Sequence, residues 1–342
     1  EDPNGTQLPY LDRYRVVKVK DNDIEFLRFI RGETDFLRPQ IRDMPYLLSN
    51  ADEEGWNLIT GPSGRTSPLN ADFLTFNWNT ENPELNELFR KSDFRHAVSR
   101  AIDTEEIIEK VFNGFGQSQH GPISRLSPYH NPSINGEPLR SVFDLEEARG
   151  TLEDLGIMDI NGDGLRELSP DDPAEFSILV NKENRVRTDL AETIAQNLKA
   201  AGLDVKVEKL VYDNYVSKLI SGNYQATIAS VLTNSREPST LSDIFTSEGS
   251  YHLWNLGQNR SLLDWEKRMD QLFQKGLRST SFQERRDYYE QFQKIFAENL
   301  PVMYLPGESF LYATDPSIRN WQEFNRQGTF LDFAEFIWIK EE

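Results

Sequence analysis

A chain of 342 residues is long for one hydrophobic core, so two lobes are the starting expectation. Its 37 Lys and Arg against 56 Asp and Glu leave a formal charge of −19, which repels a phosphate backbone and argues against nucleic acid as a partner. There is no cysteine, so disulfides, thiolate nucleophiles and Cys-ligated metals are excluded, and no apolar run is long enough to span a bilayer as a helix.

The opening EDPNGTQLPYLD is polar and lacks a charged-then-apolar leader pattern. Arg13–Lys20 alternates in the manner of a strand. Asp21, Asn22 and Asp23 can cap a helix over Ile24–Arg31, with Ile24, Leu27 and Ile30 on one face and Gly32 closing it. Thr34–Leu37 reads as a second strand, Gln40–Asn50 as a helix despite Pro45, and Trp56–Thr60 as a strand.

Phe73, Leu74 and Phe76 around Thr75 suggest a short strand, which Asn77, Asn79, Asn82 and Pro83 interrupt. Asp93 is placed to cap a helix whose apolar face is Phe94, Ala97, Val98, Ala101 and Ile102. Thr104 opens another, with Ile107, Ile108, Val111 and Phe112 toward a core and Gly114 and Gly116 ending it. The run FRHAVSRAIDTEEIIEKVFNGFG resembles a block of the family 5 extracellular solute-binding proteins of ABC importers, the oligopeptide and dipeptide receptors. Phe94, Arg95, Ala97, Ser99, Ala101, Ile102, Asp103, Glu105, Ile107 and Gly114 carry the match. Pro9-Tyr10-Leu11-Asp12 and Gly32-Glu33-Thr34-Asp35 are similar to an earlier series in that family. The resemblance implies an α/β, periplasmic-binding-protein-like (type II) two-lobe fold. It also implies that this chain is the C-terminal part of a longer receptor, with one lobe complete and the other partial. The expected division is 1–80 for partial lobe one, 81–304 for lobe two and 305–342 for a return to lobe one.

Residues 116–140 are rich in Pro, Gly, Ser and Asn and read as a surface crossing; Asp144–Leu155 is an Asp-capped helix with Gly156 at its end. Strand, helix, strand, helix and strand then follow at Glu175–Val180, Arg185–Ala201, Leu203–Leu210, Tyr212–Ser221 and Tyr224–Leu232, an α/β lobe. Ligands of such sheets sit at the carboxyl ends of the strands, so the segment after the third strand is the first place to look for a site. Two aromatic-striped helices fill 259–300, Pro301 stops the second, and Val302–Leu305 and Phe310–Tyr312 read as strands returning to lobe one.

Asp159-Ile160-Asn161-Gly162-Asp163-Gly164 mimics a calcium loop, but its twelfth position is Pro170 instead of Glu, so an Asx/Gly turn into a hairpin is expected. His96, His120, His130 and His252 show no paired-ligand spacing. No nucleophile elbow and no phosphate-cradling loop is present, so neither a metal nor another cofactor is expected, and no catalytic residue is assigned. Thr233–Ser239 is similar to the segment "A-D-Y-x-(D/E)-P" of peptide-binding members, with Glu237-Pro238 at its acidic-Pro step. The family's Asp, which pairs with a peptide α-ammonium, aligns with Asn234, a departure that brings a neutral ligand into play. Asn234, Ser235 and Arg236 are the candidate contacts there. Trp254-Asn255 suits a cleft wall or simple packing, and Asn77-Trp78 is a further candidate at the turn into the first helix. The resemblance implies a periplasmic or cell-surface lipoprotein receptor that delivers a small organic ligand, a peptide or an oligosaccharide, to an ABC permease. A hydrolase using scattered carboxylates is the alternative from another class.

Overall fold

The structure is a computed structural model that describes residues 5–60, 72–124, 127–135, 142–170, 172–230, 237–309, 311–320 and 334–340. In chain order, the first elements are α1 (Asn22–Ile30), β1 (Phe36–Leu37), α2 (Met44–Glu54), β2 (Asn57–Thr60) and β3 (Asp72–Phe76). There follow α3 (Pro83–Arg90), α4 (Ser92–Ala101), α5 (Thr104–Phe112), α6 (Leu145–Asp154), β4 (Glu175–Asn181), α7 (Arg185–Ala200), β5 (Asp204–Leu210), α8 (Tyr212–Ile220) and β6 (Ala226–Ser230). The last are α9 (Asp264–Arg278), α10 (Phe282–Asn299), β7 (Val302–Tyr304) and β8 (Leu311–Thr314). They divide into a smaller unit, Glu1–Leu69 with Phe112–Phe115 and Glu308–Glu342, and a larger one, Asn70–Val111 with Gly116–Gly307.

In the smaller unit β8 lies between β1 and β2, antiparallel to both. Phe29, Leu37, Met44, Leu47, Leu311 and Ala313 form its core, with Phe26, Ile30 and Trp56 packed against them. The Asp21 carboxylate caps α1 by accepting from the Asp23 and Ile24 N–H groups, as expected. The buried face of α1 is Phe26, Phe29 and Ile30; Ile24 and Leu27 are exposed, so the helical spacing was read on the wrong stripe. Pro45 sits in the first turn of α2, where its missing N–H would have had no intrahelical partner. Arg13–Lys20 forms no strand: Val16 and Val17 are exposed, and a β-prone run without a ladder partner stays outside any sheet.

The larger unit is built on a five-stranded sheet in the order β7-β3-β6-β4-β5. β4 runs parallel to β5 and β6, whereas β3 is antiparallel to β6 and to β7. All five residues of β3 are buried, which fits a strand covered on both faces. β3, expected within the 1–80 segment of lobe one, belongs instead to the larger unit's sheet, and β7 pairs with it there. On one face Phe76, Phe89, Phe94 and Phe176 form a ring cluster with centroids 4.6–5.8 Å apart. On the other, Leu179 packs with Tyr215 and Tyr224. Leu190, Ile194 and Leu198 of α7 are fully buried, as their spacing predicts.

Asn82 and Pro83, read from sequence as a break, begin α3: the Asn82 side chain accepts from the Glu84 and Leu85 N–H groups and Pro83 supplies the first turn. Asp93 does not cap α4, which starts at Ser92 with no side-chain cap; it lies in the first turn, where its charge favours the helix dipole. α5 takes its cap from Asp103, whose Oδ1 accepts from the Glu105 and Glu106 N–H groups at 3.0 Å each.

Gly249, in the loop after the short helix Ser242–Phe245, leaves no room for a side chain. A Cβ there would stand 2.2 Å from the Asp243 carbonyl oxygen, a backbone atom that cannot swing aside. Gly249→Ala is expected to destabilise the larger unit by about 3 kcal/mol, read as a lower urea midpoint at unchanged slope. A midpoint within error of the parent would show that this loop yields freely.

Candidate functional site

The register defines two ends of the sheet. Asp72 pairs with Ser230 and Phe76 with Ala226, so β3 begins where β6 ends. At the carboxyl end of the parallel strands stand Asn181, Leu210 and Ser230. Asn184 caps α7 by accepting from the Arg187 N–H at 3.1 Å, and this puts the Arg187 side chain one turn into the helix, over the strand ends. Arg187 Nε donates to Asp72 Oδ1 at 3.0 Å and Nη2 donates to Ser230 Oγ. Both charged side chains are largely buried, at 17% and 12% exposure. Burial pushes the Asp72 carboxyl up, against the opposing pull of Arg187 and Ser230. The pair thus fixes the terminal rung of the β3–β6 ladder. This constellation was not found from sequence; the available signal was an Arg three residues past an Asn cap, directly after a strand.

Asn234, Ser235 and Arg236 lie outside the described residues. The chain on either side of that segment is gripped in the same manner. Glu237 accepts from the Ser239 N–H at 3.3 Å and from Arg285 Nη2 on α10, and the Arg285 guanidinium lies over the Tyr129 ring, 5.3 Å from its centroid.

Asn77, Trp78, Trp254 and Asn255 are brought together, but at the opposite end of the sheet. Four residue steps of β3 separate that end from Asp72, roughly 13 Å. Asn77 Nδ2 donates to the Gly222 and Tyr224 carbonyls at 2.7 and 2.8 Å. The Trp78 N–H donates to the Trp254 carbonyl at 2.7 Å, and Asn79 Nδ2 donates to Asn255 Oδ1. Both indoles are interior: Trp254 is fully buried, packs on His252 at 3.8 Å and donates from Nε1 to Glu266 Oε1 at 3.4 Å. Trp78 packs against Trp254 and Trp265 with its Nε1–H buried and unpartnered. Neither ring has a face open for stacking on a ligand, which corrects the cleft-wall reading of Trp254 in favour of packing. Two Trp-Asn and Asn-Trp steps joined backbone to backbone make a buried splice between β3 and the 252–258 loop.

The Asp159–Gly164 segment is a turn into a hairpin. Asp159 accepts from the Gly162 and Gly164 N–H groups at 2.7 and 2.9 Å, and Glu167 accepts from the Ile160 N–H and Asn161 Nδ2 at 2.7 and 2.8 Å. Oxygens of Asp159, Asp163 and Glu167 come within 4.8 Å of one another, and the turn's own donors occupy Asp159 and Glu167. A cavity of about 370 Å³ beside it is lined by Arg149, Arg166 and Gly202 among others. Arg149 donates to the Ala200 carbonyl and Arg166 to those of Ala201 and Ile157, so both arginines close the end of α7.

Chains of known structure share this fold. The oligopeptide-binding protein AppA from Bacillus subtilis, solved with a nonapeptide, superimposes with a TM-score of 0.68 at 22% identity over 94% of this chain and 59% of its own. The periplasmic binding protein MelB of Agrobacterium fabrum, solved with stachyose, gives 0.71 at 22% identity over 98% and 53%. The fold is that of the type II periplasmic binding proteins. Residues 3–252 match the bacterial extracellular solute-binding proteins, family 5 (middle region), and the chain belongs to that family. A relative in Deinococcus radiodurans, described as a probable ABC transporter-binding protein, is 24% identical over 95% of this chain and 56% of its own length. The chain spans about half the length of the curated relatives it matches.

Proposed function

We propose that the protein is an extracytoplasmic receptor that captures a peptide by lobe closure and delivers it to an ABC importer, without catalysis. Family membership over residues 3–252 is the observation that carries this reading. The carboxyl ends of β4, β5 and β6 are the ligand-facing edge of the larger unit, with Asn234, Ser235 and Arg236 as its contacts, because open α/β sheets take ligands where their strands end. No helix among the described residues is long and apolar enough to cross a membrane. Attachment to the cell surface through a lipid belongs to the same proposal.

An oligosaccharide is the second reading. Asn234 stands where peptide-binding members carry the Asp that pairs with a peptide α-ammonium, and an amide lacks the charge that makes such a pair strong. A thermal-shift series on the full-length protein separates the two. A nonapeptide pool at about 100 times its Kd is expected to add about 2.7 kcal/mol of apparent stability, with stachyose inert. A shift with stachyose alone reverses the assignment, and hydrolysis of either compound would make the protein an enzyme.

A further inference from the structure

Three nitrogens of the Arg187 guanidinium can donate, and the described fold takes up two of them. Nε donates to Asp72 and Nη2 to Ser230, whereas Nη1 bonds to no described residue. The three residues come from different elements that meet at one place. Ser230 closes β6, Asp72 opens β3 opposite it, and Arg187 lies in the first turn of α7, directly after β4. This is the carboxyl end of the parallel strands, where open α/β sheets take ligands. The Arg187 side chain keeps 17% of its surface exposed, so the guanidinium is held but not sealed in.

Asp72 decides what the remaining donor can take. Its carboxylate, 3.0 Å from Nε, balances the guanidinium, so the pair carries no net charge. Tyr215 faces both groups; burial raises its hydroxyl, which donates to the Ile228 carbonyl at 3.3 Å and adds no charge at neutral pH. A carboxylate bound at Nη1 would stand about 6 Å from that of Asp72, two hydrogen bonds away across one fork, and would be repelled by it. A carbonyl or hydroxyl oxygen meets no such repulsion and still gains a charge-assisted donor. As a device for stability the pair has little to offer, because a buried ion pair returns little against apolar packing of the same volume. As a device for recognition it is well made: the fork is locked in place before a ligand arrives.

We propose that Arg187 is a ligand contact of the larger unit, donating from Nη1 to a neutral oxygen of the ligand, and that Asp72 makes the contact select against carboxylates. This rests on the reading of the strand ends as the ligand-facing edge. A peptide carbonyl and a sugar hydroxyl share the required chemistry, and the probes below separate the two sources.

The test uses the full-length protein with Arg187→Met, Arg187→Lys and Asp72→Asn. Affinity is measured by calorimetry, below the melting temperature of each variant. The probes are a C-terminally amidated nonapeptide pool with uncharged side chains, a pool of the same length rich in Asp and Glu, and stachyose. If stachyose is the probe that binds, an oligosaccharide of uronic acids takes the place of the acidic pool. The parent should favour the neutral probe over its acidic counterpart by about tenfold. Arg187→Met should lose about tenfold in affinity for the neutral probe, and Arg187→Lys should recover part of that loss, because an ammonium still donates. Asp72→Asn leaves the guanidinium charge unbalanced, so its neutral-to-acidic ratio should fall about tenfold. That ratio is read within one protein, and a merely structural loss would weaken both probes alike. An Asp72→Asn ratio equal to the parent's overturns the selection against carboxylates. Arg187→Met affinity within about threefold of the parent's overturns the contact. A parent that binds none of the probes overturns the receptor reading, and the contact with it.

Discussion

Arg95→Met is expected to lower the stability of the larger unit by about 3–5 kcal/mol, the range seen when one member of a buried charged contact is removed. Arg95 is fully buried on α4. Its guanidinium donates to three main-chain carbonyls: Nη1 to Phe89 at 2.7 Å, Nε to Leu300 at 3.0 Å, and Nη2 to Asn299 at 2.5 Å. It also lies over the Trp78 ring, 4.9 Å from its centroid. Phe89 is near the end of α3 and Asn299 ends α10, so one side chain closes the carboxyl ends of two helices. Leu300, which follows α10, holds a left-handed conformation at φ 43°, and its carbonyl is kept in place by this contact. Burial pulls the guanidinium down to about 9, against the opposing charges of Asp93 and Glu266. Methionine fills similar volume but leaves the carbonyls without a donor, and each unsatisfied buried group costs about 1–3 kcal/mol. The melting temperature should fall on the order of 10 °C, and Trp fluorescence should report the loss of the ring contact in the same scan. A shift of under about 2 °C would mean that water replaces the guanidinium and that the contact carries little.

Glu266→Gln is expected to cost about 3 kcal/mol at neutral pH and almost nothing at pH 2. Glu266 is buried in the first turn of α9. Its Oε2 accepts from Gln258 Nε2 at 3.1 Å and from the Leu262 and Leu263 N–H groups at 3.1 and 3.2 Å, while Oε1 takes the Trp254 indole N–H. His252 Nε2 stands 3.6 Å from Oε1, and its interaction with the carboxylate lowers Glu266. Burial alone would raise this carboxyl. The pull of His252, Gln258 and Leu262 outweighs it and holds the group at about 2, against an ordinary 4.5. A carboxyl depressed by folding stabilises the native state above its unfolded value. That stability is therefore whole above about pH 4.5 and drains as pH falls toward 2, amounting to about 3 kcal/mol at one unit per 1.4 kcal/mol. The parent and variant stability curves should converge through that window. Parallel curves would show that Glu266 is held by packing and that its charge is incidental. Asp72, which burial raises, works in the opposite sense, so the comparison must be made within this pair of proteins.

The α/β segment from Glu175 to Ser230 was legible because its signals are local. Asn and Asp caps, helical apolar stripes and short links all lie within a few residues of the element they specify, and the strands of this segment pair with one another. The errors have equally physical causes. α1 carries two possible apolar stripes, and only the packing of Phe29 against Trp56 decides between them. Asn82-Pro83 signals a turn and a helix start with the same residues. β3 and β7 join the larger sheet because both are antiparallel additions to it, and strand direction is written in no local pattern.

The candidate site depends on contacts between residues far apart in the chain. The strand order and the resemblance at Thr233–Ser239 lead to the segment after β6, but no local pattern reveals the neighbouring ion pairs: Arg187 and Asp72 are 115 positions apart, and Arg285 and Glu237 are 48 apart. Asn77-Trp78 and Trp254-Asn255 read from sequence as two separate ligand-contact candidates, and the structure buries all four together. Their antiparallel placement puts them at the amino end of β6, and a tryptophan beside an asparagine gives no sign of whether it faces a cleft or a core.

The measurement that bears most directly on the receptor reading is native mass spectrometry of the full-length protein, as purified and after incubation with a nonapeptide pool and with stachyose. One ligand per protein, released intact on denaturation and with no product of cleavage, is the predicted result, with peptides as the retained mass. A protein that keeps its bare mass with both probes, or that returns them cleaved, would contradict it.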